Sequence, residues 1–198
     1  MIKFNNISKE TPYLVFKNKY EDSLKAKQKN IEAICISSYS SSRNEVNARY
    51  VNLKFVNNKE FIFFSNYESP KSQEFNQHNQ IIGLLYWSNT NTQIRMKATI
   101  KQTSLEFNKN YFAKRDKKKN ALAIASNQSS YIASYEDFKK NYKLSLKNSN
   151  LTECPKYWGG YSFTPYHFEF WEGHESRINK REVYELQNGN WIHGILQP

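Results

Sequence analysis

The sequence is poor in several residue types whose abundance marks particular protein classes. Among 198 residues there are only two cysteines, six glycines and five prolines. Two cysteines are too few for a disulfide framework, and so little glycine and proline excludes collagen-like and low-complexity chains. No run of 18 apolar residues occurs, and residues 1–6 lack the apolar stretch of a signal peptide. These absences predict a cytoplasmic protein without a membrane span.

Common catalytic and metal-binding motifs are absent as well. The chain has no glycine-rich phosphate loop and no Gly-x-Ser-x-Gly nucleophile turn. Its four histidines, at positions 78, 167, 174 and 193, do not cluster at ligand spacing, so no metal site is expected. Enzymatic chemistry in such a chain would have to come from a bound cofactor.

Positive charge and aromatic rings are what the sequence does contain in quantity. Lysine and arginine total 29 against 18 acidic residues, which gives a net charge of +11, and aromatic residues reach 16%. The aromatic content excludes wholesale disorder. A basic surface attracts anions such as nucleic acids or phosphorylated small molecules, although scattered lysines also occur on a merely solvated surface. Only six of the cations are arginines, the residue type suited to bidentate phosphate contacts.

Hydrophobic periodicity predicts a mainly β protein with flanking helices. Strands are predicted at 31–37, 46–56, 60–65, 81–87, 92–101, 160–172, 181–186 and 191–196, and helices at 12–30, 70–78, 103–115, 120–126 and 134–147. Asn188-Gly189 is a strong hairpin signal between the last two strands. Because most connections are short, we expect a single domain over residues 1–198, with an N-terminal helical segment over 1–30 and an antiparallel sheet curled into a barrel.

Several polar residues within these aromatic strands match a known family in collinear order. The matching segments are Arg49-Tyr-Val-Asn-Leu-Lys54, Phe64-Ser65-Asn66, Ser69-Pro70-Lys71, Gln93, Tyr111-Phe-Ala-Lys-Arg115, Asn127-Gln128-Ser129-Ser130, Tyr157-Trp158-Gly159-Gly160-Tyr161 and Phe168-Glu-Phe-Trp171-Glu-Gly-His-Glu-Ser-Arg177-Ile-Asn179-Lys-Arg181. From Val46 onward the chain resembles the pyridoxine/pyridoxamine 5′-phosphate oxidases, the FMN enzymes of vitamin B6 metabolism. The last segment resembles the C-terminal signature of that family and is the most specific.

The resemblance implies an antiparallel FMN-binding split β-barrel that forms a homodimer with FMN at the subunit interface. The cofactor-binding residues that it implies are Arg49, Phe64, Ser65, Lys71, Gln93, Gln128, Ser129, Trp171 and Arg181, with Arg49 and Lys71 on the FMN phosphate. The substrate-binding residues that it implies are Lys54, Tyr111, Arg115 and Lys119, and the catalytic residues are Arg177 and Asn179. The chain differs from the family pattern at Pro70, Lys119 and Asn179, where the family usually has Arg, Ser and His.

The function that the resemblance implies is oxidation of pyridoxamine or pyridoxine 5′-phosphate to pyridoxal 5′-phosphate, with O2 as the electron acceptor. Neither a nucleic acid nor a membrane is then expected as a partner. Two alternatives stay open at this point. One is an FMN-binding flavoprotein of the same family with a different or lost substrate. The other is a basic, aromatic-rich barrel that binds single-stranded nucleic acid through stacking and charge.

Overall fold

The computed structural model describes residues 1–198 and contains one ten-stranded sheet. The strands are β1 (Lys3–Asn5), β2 (Ala33–Ser40), β3 (Glu45–Asn52), β4 (Phe55–Asn57), β5 (Glu60–Asn66), β6 (Gln80–Trp87), β7 (Thr92–Gln102), β8 (Trp158–Glu172), β9 (Lys180–Gln187) and β10 (Asn190–Ile195). Their order is β1-β4-β5-β8-β7-β6-β2-β3, and the β9–β10 hairpin branches from β8. Only the β1–β4 pairing is parallel. The sheet is not closed, and the predicted class, a mainly antiparallel split barrel, is confirmed.

Five helices flank the sheet. They are α1 (Thr11–Lys25), α2 (Pro70–Gln77), α3 (Leu105–Lys114), α4 (Lys117–Ala125) and α5 (Tyr135–Asn148). The side chains of Ser104, Asp116 and Ser134 cap α3, α4 and α5 by accepting a bond from a first-turn amide. The hydroxyl of Ser69 does not cap α2 but donates to the carbonyl of Asn66 at 2.7 Å. None of these helices has the length and apolar character that crossing a bilayer requires.

The structure has ten strands where the sequence predicted eight. The predicted strand over 46–56 is interrupted at Leu53 and Lys54, whose amides donate to the carbonyls of Glu32 and Ile62. This corner takes the chain from β3 to β4, which pairs with β5 instead of β2. The other additional strand, β1, has three residues and a distant partner, so it carries too short a pattern for periodicity to detect.

The hydrophobic core lies between α1 and one face of the sheet. Tyr13, Phe16 and Tyr20 form the buried face of α1, at the spacing of successive helical turns. The ring of Phe16 lies edge-on to Phe61 at 4.9 Å, and that of Tyr13 lies edge-on to Phe168 at 5.2 Å. These rings hold β5 and β8 together under α1.

Candidate functional site

A buried lysine without a contacting carboxylate lies in the first turn of α2. Lys71 is only 7% exposed, and its Nζ donates to the hydroxyls of Ser65 at 3.3 Å and Ser69 at 3.1 Å. Burial, together with the neighbouring charge of Arg49, lowers the pKa of Lys71 to about 8. An ammonium has three donors, and burying its charge is costly unless an anion compensates it. The environment of Lys71 therefore fits an anionic ligand.

Arg49 lies beside Lys71 on β3, where it is held by a buried acid. Its Nη2 donates to Oε2 of Glu74 at 2.7 Å, and its Nη1 donates to Ser38 Oγ at 2.5 Å and to the carbonyl of Ile36 at 3.3 Å. Glu74 belongs to α2 and is 5% exposed. These contacts fix the guanidinium of Arg49 near the ammonium of Lys71.

Gln128, in the loop that follows α4, contacts the residues beside Lys71. Its Oε1 accepts bonds from Ser65 Oγ at 3.0 Å and from the amide of Asn66 at 3.2 Å. A polar chain thus runs from Lys71 through Ser65 to Gln128. Ser129, the next residue, has a left-handed backbone with φ of 71° and an exposed side chain, and it lines neither of the cavities at this site.

Two adjoining cavities open beside this polar chain. One has a volume of about 240 Å³ and brings together Lys54, Lys71 and Arg115 with Ser65, Tyr111 and Gln128. The other has a volume of about 200 Å³, shares Phe64, Ser65, Arg115 and Gln128 with the first, and adds Lys119 and Trp158. No acidic side chain lines either cavity. The site is therefore cationic and suits ligands with more than one anionic group.

Stacked aromatic rings form a wall of these cavities. The ring of Phe64 lies 4.0 Å from that of Tyr111 and 5.0 Å from that of Trp158, with interplanar angles of 15° and 8°. The guanidinium of Arg115 lies 5.0 Å from the centroid of Trp158, and its Nη1 donates to the carbonyl of Lys119 at 2.8 Å. Cation–π contact and hydrogen bonding thus pin the Arg115 side chain at the cavity wall.

Burial and mutual repulsion act on the cavity cations. Burial is the main cause of a lowered pKa of Lys54; Glu32 opposes that shift, whereas Lys119 and Arg115 add to it. Burial likewise lowers the pKa of Arg115. Since each cation is destabilised by its surroundings, an anion placed among them would be stabilised by all of them at once.

The remaining predicted residues lie at the other end of β8. Gln93 on β7 is paired with Trp171 on β8, which is paired in turn with Arg181 on β9. The Nε and Nη2 of Arg181 contact Oε1 of the buried Glu169 at 2.8 and 2.7 Å. Gln93, Trp171 and Arg181 therefore form one row across three strands.

Arg177 and Asn179 lie in the loop that joins β8 to β9. Arg177 is exposed and has a left-handed backbone with φ of 61°. Asn179 is partly buried, and its Oδ1 accepts a bond from the amide of His174 at 3.0 Å. That bond closes the loop, so Asn179 already has a local structural role.

A single chain does not bring the two groups of residues together. Ser65 is paired with Gly159 at the start of β8, whereas Trp171 lies near its end. The intervening stretch of about 12 residues measures about 40 Å along the strand, at roughly 3.3 Å per residue. The predicted site residues therefore fall into two groups: a cationic half around Lys71 at the start of β8, and a distant half around Trp171 and Arg177 at its end.

Sequence reasoning missed three residues of the site. Glu74 and Glu169 are the buried acids that hold Arg49 and Arg181, and Trp158 carries Arg115. Trp158 lies within the matched segment 157–161, but the resemblance assigned no role to it. An acid three residues after Lys71 on the same helix was the one available signal for Glu74, because positions i and i+3 share a helix face.

Comparison with known proteins identifies relatives of this chain. Residues 158–198 match the family model described as the pyridoxine 5′-phosphate oxidase C-terminal dimerisation region. The pyridoxine/pyridoxamine 5′-phosphate oxidase 1 of Hydrogenovibrio crunogenus is 34% identical over 181 residues, covering 90% of this chain and 83% of its own length. The pyridoxine/pyridoxamine 5′-phosphate oxidase of Leptospira biflexa serovar Patoc is 35% identical over 152 residues, covering 76% and 72%.

Solved structures show the same fold. PhzG from Burkholderia lata 383, in complex with tetrahydrophenazine-1-carboxylic acid, superposes with a TM-score of 0.90 at 23% identity, covering 96% of this chain and 93% of its own. A pyridoxamine 5′-phosphate oxidase-related, FMN-binding protein from Nostoc punctiforme PCC 73102 gives a TM-score of 0.77 at 12% identity, covering 92% and 97%. These two similarities show the fold alone, whereas the sequence relatives show the family. Because those relatives are matched at 34–35% identity over most of both chains, this chain belongs to the pyridoxine/pyridoxamine 5′-phosphate oxidase family.

Proposed function

We propose that this protein is an FMN-dependent oxidase that converts pyridoxamine or pyridoxine 5′-phosphate to pyridoxal 5′-phosphate with O2. Membership of the family supports an FMN-dependent oxidase at the coarse level. The observation that carries the finer assignment is the cationic half of the site. It offers one buried cation at Lys71 and a second group at Lys54 and Arg115, which suits a phosphorylated cofactor beside a phosphorylated substrate.

The residues present fit FMN. Lys71 and Arg49 would bind its phosphate together with Ser65, and Gln128 would contact the neighbouring part of the molecule. Each hydrogen bond from a charged group to the phosphate contributes roughly 1.5–3 kcal/mol. FMN bound there would supply the redox chemistry: a hydride equivalent would leave the C4′ carbon of the substrate, and O2 would be reduced to hydrogen peroxide. With pyridoxamine 5′-phosphate, water would supply the aldehyde oxygen and the nitrogen would leave as ammonia.

The protein side chains would bind and orient the substrate. Lys54, Arg115 and Tyr111 would hold the substrate phosphate, with Lys119 at the edge of the adjoining cavity. Arg177 would lie over the reacting ring and orient it. Asn179 can donate and accept hydrogen bonds but carries no titratable proton, so its contribution would be positioning.

The proposal includes a homodimer, because the two halves of the predicted site lie at opposite ends of β8 in one chain. The Lys71 half of one subunit would meet the Trp171 half of its partner. The region matched to the dimerisation model contains Trp171, Arg177 and Arg181. In addition, Val46 and Tyr50 on β3 are 73% and 74% exposed, which is apolar surface of the kind that association buries.

A second candidate is a flavoprotein of this family that acts on another aromatic anion. Asn179 favours it, since the family usually has a histidine at this position. PhzG from Burkholderia lata shares the fold and was solved with a carboxylic acid, tetrahydrophenazine-1-carboxylic acid. The cations Lys54 and Arg115 could pair with a carboxylate as well as with a phosphate.

Anaerobic reduction of the bound flavin separates the two candidates. Protein loaded with FMN and mixed with excess pyridoxamine 5′-phosphate should slowly lose its oxidised flavin absorbance, and admitting oxygen should restore it with release of hydrogen peroxide. Pyridoxamine without the phosphate is the matched control and should react far more slowly. If the flavin stays oxidised for hours, and Asn179→His does not change this, the second candidate replaces the first.

A further inference from the structure

A carboxylate is built into the cationic half of the site, although it lines neither cavity. Glu74 is 5% exposed, and both of its oxygens are engaged. Oε2 accepts from Arg49 Nη2 at 2.7 Å and from Ser38 Oγ at 2.5 Å, while Oε1 accepts from Asn47 Nδ2 at 3.0 Å. The position of this carboxylate is therefore fixed by three donors from β2 and β3.

This carboxylate compensates the cations when no ligand is bound. The charge of Glu74 raises the pKa of Lys71, against the larger effects of burial and of Arg49, so Glu74 acts on both cations. Arg49 contacts it directly, whereas Lys71 contacts only hydroxyls. Without Glu74, two neighbouring positive charges would stand uncompensated in a largely buried place, which is costly.

The same charge has the opposite effect once an anionic ligand is present. A phosphate that contacts Arg49 and Lys71 comes close to the carboxylate that already neutralises Arg49. Like charges within a few ångströms repel, and partial burial weakens the screening of that repulsion by solvent. Glu74 and a bound phosphate therefore compete for the same guanidinium.

We propose that Glu74 is an internal counter-ion of the cofactor site that holds Arg49 in place and lowers the affinity of the protein for the phosphate of FMN. The inference rests on the proposed function, in which Arg49 and Lys71 bind that phosphate. It goes further because it assigns two opposite effects to Glu74: this residue stabilises the site without a ligand, and it weakens the binding of FMN.

Glu74→Gln tests the proposal because it removes the charge and keeps an oxygen that accepts from Arg49. Dissociation constants for FMN and for riboflavin, measured by flavin fluorescence, give a ratio that reports the phosphate alone. We expect Glu74→Gln to tighten FMN binding roughly tenfold and to leave riboflavin binding unchanged. Glu74→Asp, which keeps the charge, should retain the wild-type ratio. An unchanged or lower preference for FMN in Glu74→Gln would overturn the proposal.

A second variant covers the case in which Glu74→Gln does not fold. Asn47→Asp adds negative charge beside Glu74 at a partly exposed position of β3 and should weaken FMN binding severalfold, again without affecting riboflavin. An unaltered ratio in this variant would contradict the role of charge at Glu74. Equal affinity of the wild-type protein for FMN and riboflavin would instead refute the phosphate contacts of the proposed function.

Discussion

At the scale of single residues, the cations of the site differ in what already binds them. Arg49 is paired with Glu74, and Arg115 is held by the carbonyl of Lys119 and the ring of Trp158. Lys71 contacts two hydroxyls and no acid. Because burial and the charge of Arg49 lower the pKa of Lys71 to about 8, its ionisation should respond strongly to a bound phosphate.

The affinity for FMN should therefore fall in mild alkali. In the free protein, Lys71 is protonated below its pKa of about 8 and loses its charge above it. Above that pH, binding of phosphate must first restore the proton, so the dissociation constant for FMN should rise with pH. Fluorescence titrations across this range would measure the effect.

Two controls make this pH dependence specific. Riboflavin lacks the phosphate, so its affinity should not change through the same range. Lys71→Arg keeps a charge at all these pH values and should remove the alkaline loss of FMN affinity. A parallel loss of riboflavin affinity in the wild-type protein would assign the effect to another group.

Substitution of the substrate-facing cations should separate binding from chemistry. In the proposed function, Lys54 and Arg115 hold a phosphate that does not react. Lys54→Ala and Arg115→Ala should therefore each raise KM for pyridoxamine 5′-phosphate roughly tenfold or more, with little change in kcat. Lys140→Ala, which removes an exposed lysine of α5, is the matched control and should change neither constant. Steady-state oxidation rates at several substrate concentrations provide the measurement, and a fall in kcat alone would contradict this assignment.

At the scale of elements, the start of β8 depends on the absence of a side chain. A Cβ on Gly159 would overlap the hydroxyl of Tyr67 and the side-chain amide of Asn108. Gly159→Ala should therefore lower the free energy of unfolding by about 1–3 kcal/mol. Gly194→Ala in β10 is the control, since its Cβ would meet Val183 Cγ2 at an ordinary 3.4 Å. Urea denaturation of both variants checks this, and equal stability would show that Tyr67 moves aside freely.

Strands β7, β8 and β9 are joined by a buried acid between two arginines. Burial alone would raise the pKa of Glu169, but bonds from Arg181 and Arg95 outweigh it and hold that pKa below its usual value. The stabilisation is thus present above the ordinary carboxyl pKa of 4.5 and is lost as the pH falls through the lower folded value.

Glu169→Gln should destabilise the protein by about 1–3 kcal/mol at neutral pH, because it leaves two partly buried arginines without their acid. It should also remove part of the loss of stability in acid that the wild-type protein shows. Denaturation curves at neutral and acidic pH give both quantities. The exposed Glu153→Gln is the control, and an acid response identical to wild type in Glu169→Gln would contradict the role of Glu169.

Local patterns predicted most elements of this fold. Alternation placed a strand at 92–101, where β7 spans Thr92–Gln102, and Asn188-Gly189 does join β9 to β10, with φ of 83° at Gly189. The corner at Leu53 and Lys54 escaped prediction because it depends on hydrogen bonds to Glu32 and Ile62, far away in the sequence. Local sequence patterns do not indicate hydrogen-bond partners that are distant in the sequence.

The candidate site was predictable in its residue types but not in its arrangement. The resemblance supplied the cations of both halves, and the structure places Lys54, Lys71 and Arg115 around one cavity. The partners Glu74 and Glu169 could not be inferred, because burial and strand register decide which acid meets which arginine. The same register sets the two halves at opposite ends of β8, which no local pattern indicates.

At the scale of the whole molecule, strand β8 separates the two halves of the predicted site. Lys71 lies near one end of this 15-residue strand, and the loop with Arg177 follows the other end. Because the two groups of predicted residues lie at opposite ends of β8, we expect a site that contains both groups to form between two copies of the chain. In a homodimer with two-fold symmetry, each of two equivalent sites would take one half from each subunit.

Mixing two inactive variants tests this shared site most directly. In the proposed function, Lys71→Met would impair the half that binds phosphate, and Arg177→Ala would impair the half that orients the substrate. In a dimer of one copy of each, one site carries both substitutions and the other carries neither. Equal amounts of the two variants, assembled together, should therefore recover about a quarter of the wild-type rate of flavin reduction by pyridoxamine 5′-phosphate. A mixture no more active than the variants measured separately would contradict the account, because it would show that Lys71 and Arg177 do not meet across two subunits.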